Sequence, residues 1–397
     1  VELQLVRVPF SEEAGEGLLR HATRQELDAV ELDLRAPACP DAAVPEDGTT
    51  ALLLACWHGR PDMARCLLEA SASPDRARRD GATPLFMASQ EGHLEVVRCL
   101  CEARADIDAV TLDGVSPLFM ASQKGHCGVA QHLCEARADV DLATHDGTTP
   151  LLVASCSGHL EVVRCLCCAG ADRSAAARDG ITPLLSASQH GHLEVVVLLC
   201  EAGSDCDRAA ESGVTPLFVA AQEGHVDVVL RLAGARADVD AAARDGTTPL
   251  VVASFQGHTG VVRSLCELDA DTDAAMLDGA TPLFAAAQEG HLEVVSHLCR
   301  AGAERDRGML SGSTPLSVAA EEGHMEVVEH LCSAHADLES AIHRGGDVAA
   351  RWYGATPLMV ATRMGHPEIV RCLLAAQALA DASDAGGETP LTAALHL

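Results

Sequence analysis

Histidines recur at one position of this sequence with a regularity that suggests metal binding. Each of nine follows a glycine: His93, His126, His159, His192, His225, His258, His291, His324 and His366. Zinc binds imidazole nitrogens at about 2.0–2.1 Å, so two such ligands must lie within about 4 Å of each other. Histidines on successive helices stacked about 8–10 Å apart are too distant to share an ion. We therefore interpret them as hydrogen-bonding residues of a repeated loop and predict no metal or cofactor.

The 17 cysteines are a second set that could carry chemistry. Seven share one position: Cys101, Cys134, Cys167, Cys200, Cys266, Cys299 and Cys332. Leucine or alanine replaces cysteine there in other repeats, which is typical of a small buried apolar side chain. Equivalent cysteines of stacked repeats are expected about 10 Å apart, beyond the ~7 Å Cα limit for a disulfide. So many unpaired thiols predict an intracellular location, cytoplasmic or nuclear.

Enzyme signatures are absent from the sequence, which contains no G-x-x-x-x-G-K-[ST], H-E-x-x-H or G-x-S-x-G motif. Paired carboxylates are abundant, but those of Ala-Asp-x-Asp, such as Asp106 and Asp108, recur from repeat to repeat. A catalytic pair is expected only once, inside a pocket. We interpret these carboxylates as solvated turn residues and predict that the chain is not an enzyme.

A 33-residue repeat positions all of these residues. Thr-Pro or Ser-Pro recurs every 33 residues from Pro84 to Pro315, and again from Pro357 to Pro390. The step from Pro315 to Pro357 is 42, so nine residues are inserted between the two series. Ten repeats therefore span residues 47–385.

One repeat, residues 80–112, predicts two short antiparallel helices. Thr83 can cap the first helix through its hydroxyl, and Pro84 suits the first helical position. Gly92 ends this helix in a left-handed conformation. From Leu94 onward, apolar residues recur at three- to four-residue spacing and predict the second helix. Two helices this short are not stable alone, so stacking on neighbouring repeats must bury their apolar faces.

This pattern resembles the ankyrin repeat, which has the signature T-P-L-H-x-A. The repeats read Thr-Pro-Leu, then Gly-His-Leu-Glu-Val-Val, then Ala-Asp-x-Asp, across residues 47–385. The resemblance implies an all-α fold, an ankyrin-repeat solenoid of stacked helix-turn-helix units with β-turn or hairpin tips.

Two departures from the family pattern recur along the chain. The histidine after Thr-Pro-Leu is replaced by other residues, many of them apolar, such as Phe86 and Phe284, which favours apolar contact between neighbouring repeats. The glycine after helix two is replaced in several repeats, for example by Arg104, Arg137 and Arg236. We expect these arginines to adopt the left-handed conformation of the glycine.

The flanks carry weaker patterns. Residues 18–46 suggest two helices without the Thr-Pro or Gly-His marks, as expected of a degenerate N-terminal capping repeat. Residues 1–17 are a lead-in segment that starts with strand-like alternation, and one interpretation is the end of an upstream β-rich domain. Residues 386–397 begin a truncated C-terminal repeat, and the insertion falls near residues 342–352.

Charge narrows the class of partner. The chain has 28 Lys+Arg against 58 Asp+Glu and a formal net charge of −30. Such an acidic chain is a poor candidate for binding nucleic acid or an anionic membrane surface. No apolar run approaches the ~18 residues of a membrane-spanning helix. We expect a monomer whose partner is another protein with a basic surface or segment.

The resemblance implies that partners meet the turn tips and the exposed end of helix one. Interface energetics favour Trp, Tyr and Arg. The candidate partner-binding residues are Trp57, Arg79, Leu112, Phe255, Arg344, Arg351, Trp352 and Tyr353. The last four belong to the insertion or follow it directly, so we predict that the insertion is a specialised binding element.

These observations favour a non-catalytic protein–protein interaction scaffold that presents a long concave ankyrin surface. A different interpretation is a passive spacer or linker array in a larger multidomain protein, because the repeats are so alike. A third is the targeting arm of an enzyme whose catalytic domain lies outside this chain.

Overall fold

The computed structural model describes residues 12–35, 38–342 and 352–395. The chain divides into two compact bodies. The first comprises the residues up to Ala187 together with Glu201–Ser204, and the second comprises Ser188–Cys200 and the residues from Asp205 onward. The regular secondary structure of the described residues is helical, and none of these helices combines the length and apolar character needed to cross a membrane.

Repeats are numbered 1 to 10 from residue 47, so repeat 7 covers residues 245–277, repeat 8 covers 278–310, repeat 9 covers 311–352 with the insertion, and repeat 10 covers 353–385. The helices that begin in the first body are α1 (Glu12–Thr23), α2 (Leu27–Arg35), α3 (Ala51–Trp57), α4 (Pro61–Glu69), α5 (Pro84–Gln90), α6 (Leu94–Glu102), α7 (Pro117–Lys124), α8 (Cys127–Glu135), α9 (Pro150–Cys156), α10 (Leu160–Cys168) and α11 (Pro183–Gln189).

The helices that begin in the second body are α12 (Leu193–Glu201), α13 (Pro216–Gln222), α14 (Val226–Gly234), α15 (Pro249–Phe255), α16 (Thr259–Glu267), α17 (Pro282–Gln288), α18 (Leu292–Ala301), α19 (Pro315–Glu322), α20 (Met325–Ser333), α21 (Pro357–Met364), α22 (Pro367–Ala375) and α23 (Pro390–Ala394). From α3 onward they alternate as helix one and helix two of successive repeats, and α23 is helix one of the truncated last repeat.

Helix one begins as the sequence predicts. In repeat 2 the Thr83 hydroxyl accepts a hydrogen bond from the Phe86 N–H at 3.2 Å, and Pro84 occupies the first helical position, where no N–H is needed. Leu85 and Ala88 are fully buried on the inward face of this helix. Phe86 and Phe284 are 7% and 3% exposed, so the residues that replace the family histidine pack into the core.

The left-handed positions are confirmed. Arg104, Arg137 and Arg236 have φ values of 61°, 70° and 70°, as predicted for residues that stand in place of glycine. Side chains at such φ values are strained by contact with their own backbone. Each of these arginines therefore holds a backbone conformation that its repeat imposes.

The N-terminal helix pair begins earlier than expected. Helix α1 starts at Glu12, not near residue 18, so residues 12–17 belong to the same pair as α2. Leu18 and Val30 are fully buried between the two helices, and His21 Nδ1 lies 2.7 Å from an Asp33 carboxylate oxygen. The strand-like alternation predicted for the first ten residues lies outside the described residues.

Candidate protein-binding surface

In at least eight of the ten repeats a histidine is hydrogen-bonded to the repeat before it. His126 Nε2 lies 2.9 Å from the backbone carbonyl oxygen of Gln90, and because a carbonyl can only accept, Nε2 is the donor. The same bond, at 2.9–3.1 Å, is made by His93, His159, His225, His258, His291, His324 and His366. Within the described part of the chain, no group of three or more metal-binding side chains comes together.

The histidine also explains the glycine that precedes each second helix. Gly92 has φ of +76°, and a Cβ built there would lie 2.6 Å from Nδ1 of His126 in the next repeat. Real Cβ atoms do not approach other atoms so closely, so only glycine allows the ring to lie against this backbone.

The Ala-Asp-x-Asp carboxylates form a second ladder that sequence reasoning missed. The Asp106 carboxylate accepts a hydrogen bond from the Asp108 N–H in its own loop, at 3.2 Å. The Asp108 carboxylate accepts one from the Asp139 N–H of the next repeat, at 3.0 Å. These residues are exposed, as predicted for turns, but they also fasten neighbouring loops through charge-assisted hydrogen bonds.

The turn tips have a fixed backbone and free side chains. In the second body the Leu277 N–H donates to the Asp245 carbonyl at 2.9 Å, and the Leu310 N–H donates to the Asp278 carbonyl at 2.8 Å. The side chains of Leu277 and Leu310 are nevertheless 73% and 75% exposed. Two neighbouring tips of the second body therefore present leucine to solvent from a hydrogen-bonded backbone.

An apolar groove lies beside these tips, between repeats 7 and 8. Its volume is about 340 Å³, and its apolar lining includes Val251, Val252, Phe255, Met276, Phe284 and Met309. Phe255 is 42% exposed at the end of α15, so its ring is both groove wall and accessible surface. Apolar concavities with a few polar groups at the edge are the usual form of a binding site.

The polar edge of the groove is acidic. Asp278 lines the groove, and its carboxylate accepts a hydrogen bond from the Ala280 N–H at 3.0 Å. At the preceding tip, hydrogen bonds from Thr247 lower the pKa of the Asp245 carboxyl. This lowered pKa keeps the Asp245 carboxylate negatively charged at neutral pH.

The candidate residues from the sequence are distributed over both bodies. In the first body, Trp57 is 42% exposed at the end of α3, and Leu112 is 71% exposed at a tip. Arg79 is exposed at the preceding tip, and its guanidinium donates to the Pro45 carbonyl at 2.6 Å. In the second body, Phe255 lines the groove, and Tyr353 is 45% exposed.

The structure corrects our expectation that Trp352 is an exposed contact residue. Its side chain is only 7% exposed and belongs to a buried cluster with Ile342, Ala355 and Met359. The reason is that the ends of the insertion pair with each other: the Ile342 N–H donates to the Ala355 carbonyl at 3.1 Å, and the Gly354 N–H donates to the Ile342 carbonyl at 2.8 Å. The indole fills the base of the closed loop, so it is not an exposed contact. Arg344 and Arg351 lie outside the described residues.

Sequence reasoning also left Met276, Met309 and Leu310 out of the candidate set. A signal for them exists. Tips 7 and 8 both read Met-Leu, at Met276-Leu277 and Met309-Leu310, 33 residues apart. Two successive apolar tips are unusual in a chain whose other tips each carry at least one polar or charged residue. A comparison of tips across repeats reveals the pair, whereas the search for rare aromatic residues did not.

Helix pairs joined by histidine and aspartate ladders define a helical-repeat protein, whose tips and helix ends are accessible to solvent. The family models agree. The model for three-copy ankyrin repeats matches residues 18–111, 72–144, 118–210, 171–245, 204–276 and 267–342, and that for a single ankyrin repeat matches residues 353–385. The chain belongs to the ankyrin-repeat family, whose repeats are generally protein–protein interaction modules. A search of curated proteins found no significant match.

Proposed function

We propose that this chain is a non-catalytic scaffold that binds a partner protein through the groove of repeats 7 and 8. The groove itself carries the proposal. It combines an exposed aromatic ring, two exposed tip leucines and an apolar floor within one stretch of surface. Removing such a surface from water contributes about 25 cal/mol per Å² of apolar area, which is set against the entropic and desolvation costs of association.

The acidic edge selects the partner's charge. Asp278 lines the groove, Asp245 at the adjacent tip has a lowered pKa, and the whole chain has a net charge of −30. A segment with an apolar anchor flanked by Arg or Lys complements this edge, whereas an acidic segment is repelled. The partner is therefore a protein segment that combines an apolar side chain with basic neighbours.

The fixed tips favour binding without a large loss of conformational freedom. The backbone N–H groups of Leu277 and Leu310 are already hydrogen-bonded to the preceding repeat. Little ordering of the backbone is then required when a partner docks, which reduces the entropic cost of association. The carboxylates of Asp245 and Asp278 are held by the same loops.

The test is a titration of the full chain with three labelled synthetic peptides, followed by fluorescence anisotropy. One peptide has a central leucine flanked by arginines, the second has glutamates in place of the arginines, and the third has serine in place of the leucine. We expect the first to bind most tightly, and its affinity to fall as salt is raised. Phe255→Ser should weaken this binding about tenfold.

The matched control is Gln123→Ser, at the equivalent end of α7 in the first body, where the side chain is also exposed. This change should leave the affinity unaltered. Equal affinity for all three peptides, or an unchanged affinity of the Phe255 variant, contradicts the proposal. The passive spacer is then the better description of the chain.

We further propose that the scaffold acts as a monomer in a reducing compartment, the cytoplasm or the nucleus. All 17 cysteines are unbridged, which supports this location. Light scattering of the purified chain at several concentrations checks the first part of the proposal. A mass that rises with concentration contradicts it.

A further inference from the structure

The thiols of Cys134 and Cys165, and those of Cys332 and Cys372, interact across neighbouring repeats, and a further close pair lies within a single repeat. Cys200 lies in the last turn of α12, and Cys206 lies in the turn that follows. Their Sγ atoms are 3.6 Å apart. Both residues belong to the second body, and both side chains are partly accessible.

This arrangement is specific to repeat 5. Seven repeats have cysteine at the position of Cys200, but only repeat 5 has cysteine at the position of Cys206. The other repeats carry Pro74, Ile107, Val140, Arg173, Val239, Thr272, Arg305, Leu338 and Ala380 there. Because the side chain at this position lies against helix two of its own repeat, a single substitution is enough to place a second thiol beside the first.

We propose that Cys200 and Cys206 form a reversible intramolecular disulfide, a redox modification site whose oxidant is a low-molecular-weight disulfide such as glutathione disulfide. The sulfurs need to approach by about 1.6 Å to reach the bonded distance of about 2.0 Å. One of them lies in a turn rather than in a helix, so side-chain rotation and a small loop shift can close the gap.

The reaction balances as two exchange steps. The thiolate of one cysteine attacks a sulfur of glutathione disulfide, forms a mixed disulfide and releases one glutathione thiolate. The second cysteine, after losing its proton, attacks the protein-side sulfur and releases the second glutathione. The protein loses two hydrogens, and the oxidant is reduced to two molecules of glutathione. Glutathione at a high reduced fraction reverses both steps.

The environment of the Cys206 thiol determines the pH at which the experiment is carried out. Burial raises the pKa of the Cys206 thiol, and Asp205 and Asp207 add to this effect, while Cys200 and Arg231 oppose it. Only the thiolate exchanges. The reaction is therefore followed at mildly alkaline pH, with time to reach equilibrium.

The sequence makes the bridge easy to detect. Trypsin cleaves after Arg178 and Arg208, and the peptide between them contains Cys200 and Cys206 as its only cysteines. Cleavage after Glu201 separates the two cysteines into different fragments. A bridge keeps these fragments joined until a reductant is added.

The full chain is equilibrated in glutathione buffers of increasing oxidised fraction, alkylated and mapped by mass spectrometry. We expect the peptide to lose two hydrogens at a glutathione disulfide level about tenfold below that needed to oxidise the remaining thiols by half, with the contacting pairs Cys134/Cys165 and Cys332/Cys372 left out of that reference set. Without the second thiol, Cys206→Ser should stop at a glutathione adduct on Cys200, and circular dichroism should show both proteins equally folded.

Two results overturn the proposal. In one, both cysteines of the parent chain are still alkylated when the remaining thiols are half oxidised. In the other, the parent accumulates glutathione on Cys200 or Cys206 to the same extent as the Cys206→Ser chain, because no second thiol displaces it.

Discussion

Repeat 7 and the junction of repeats 9 and 10, all in the second body, use the same two positions in opposite ways. Phe255 and Arg363 occupy the same repeat position in the last turn of helix one, and Leu277 and Trp352 both end the tip that closes a repeat. Phe255 and Leu277 are 42% and 73% exposed. Trp352 is 7% exposed, and Arg363 is bound to the carboxylates of Asp384 and Glu388.

The difference shows that position in the repeat alone does not make a contact residue. Arg363 meets one carboxylate from the tip of its own repeat and one from the start of the partial repeat that follows, and Trp352 meets the paired ends of the insertion. Phe255 and Leu277 have no comparable cover, so their apolar surface stays accessible. Exposed apolar surface therefore occurs where neighbouring repeats leave one of these positions uncovered.

The largest expected effect concerns the two tip residues, Trp352 and Leu277. Trp352→Ala should lower the free energy of unfolding by about 3–5 kcal/mol, because it empties a buried cluster. Leu277→Ala, at the equivalent tip position, should change it by less than about 0.5 kcal/mol, because the side chain is largely exposed. Urea unfolding followed by circular dichroism measures both. Similar losses in the two variants contradict the assignment of one tip to the core and the other to the surface.

The helix-end comparison should give a smaller effect. Arg363→Ala leaves Asp384 and Glu388 without their guanidinium and should cost about 1–2 kcal/mol, since the group is only partly buried. Phe255→Ala should cost less than about 1 kcal/mol. In a Trp57→Phe background, Trp352 is the only tryptophan and reports unfolding locally. A larger loss of unfolding free energy in the Phe255 variant than in the Arg363 variant contradicts this expectation.

Acid should weaken the Arg363 cluster specifically. Partial burial disfavours the charged form of Asp384, but hydrogen bonds from Arg363 and from the N–H groups of Glu388 and Gly386 outweigh burial and lower its pKa. Its contribution is therefore complete above the usual pKa of 3.8 and is lost as the pH falls through the lower folded-state value. The urea midpoint reported by Trp352 should fall more between pH 5 and pH 3 in the parent than in Asp384→Asn.

The pH values of that comparison are about one unit on either side of the usual carboxyl pKa. Other carboxylates titrate in both chains, so only the difference between them counts. Parallel pH profiles for the parent and Asp384→Asn contradict a stabilising role for the ionised carboxylate.

The smallest expected effect concerns a left-handed backbone position that both regions contain. Arg236, just before repeat 7, and Gln377, in repeat 10, have φ values of 70° and 74°. Glycine relieves the left-handed strain but loosens the unfolded chain, so each change to glycine should stabilise by about 0.5 kcal/mol. Equal shifts in the urea midpoint show the same backbone requirement in both regions. A loss of stability in either variant shows that the side chain contributes more than its strain costs.

The helix starts, the left-handed positions and the repeat count follow from local patterns, because Thr83, Pro84 and Gly92 act within one turn of the residues they control. The exposure of individual side chains could not be predicted from such local patterns. Trp352 is buried because Ile342 and Ala355 pair across the insertion, and the groove exists because Phe255 and Met309 come from different repeats. Such contacts depend on the stacking of repeats, which a single repeat does not encode.

The histidine bond survives the insertion without change. His366 Nε2 reaches the Glu321 carbonyl at 3.1 Å although 45 residues separate them, against 36 for the other pairs of this ladder. Lengthening the tip between the donor and the acceptor therefore leaves this hydrogen bond in place. Whole repeats can therefore be copied, removed or exchanged by gene duplication and recombination, and new segments can be inserted at a tip, while the junctions that carry this bond keep the same donor and acceptor.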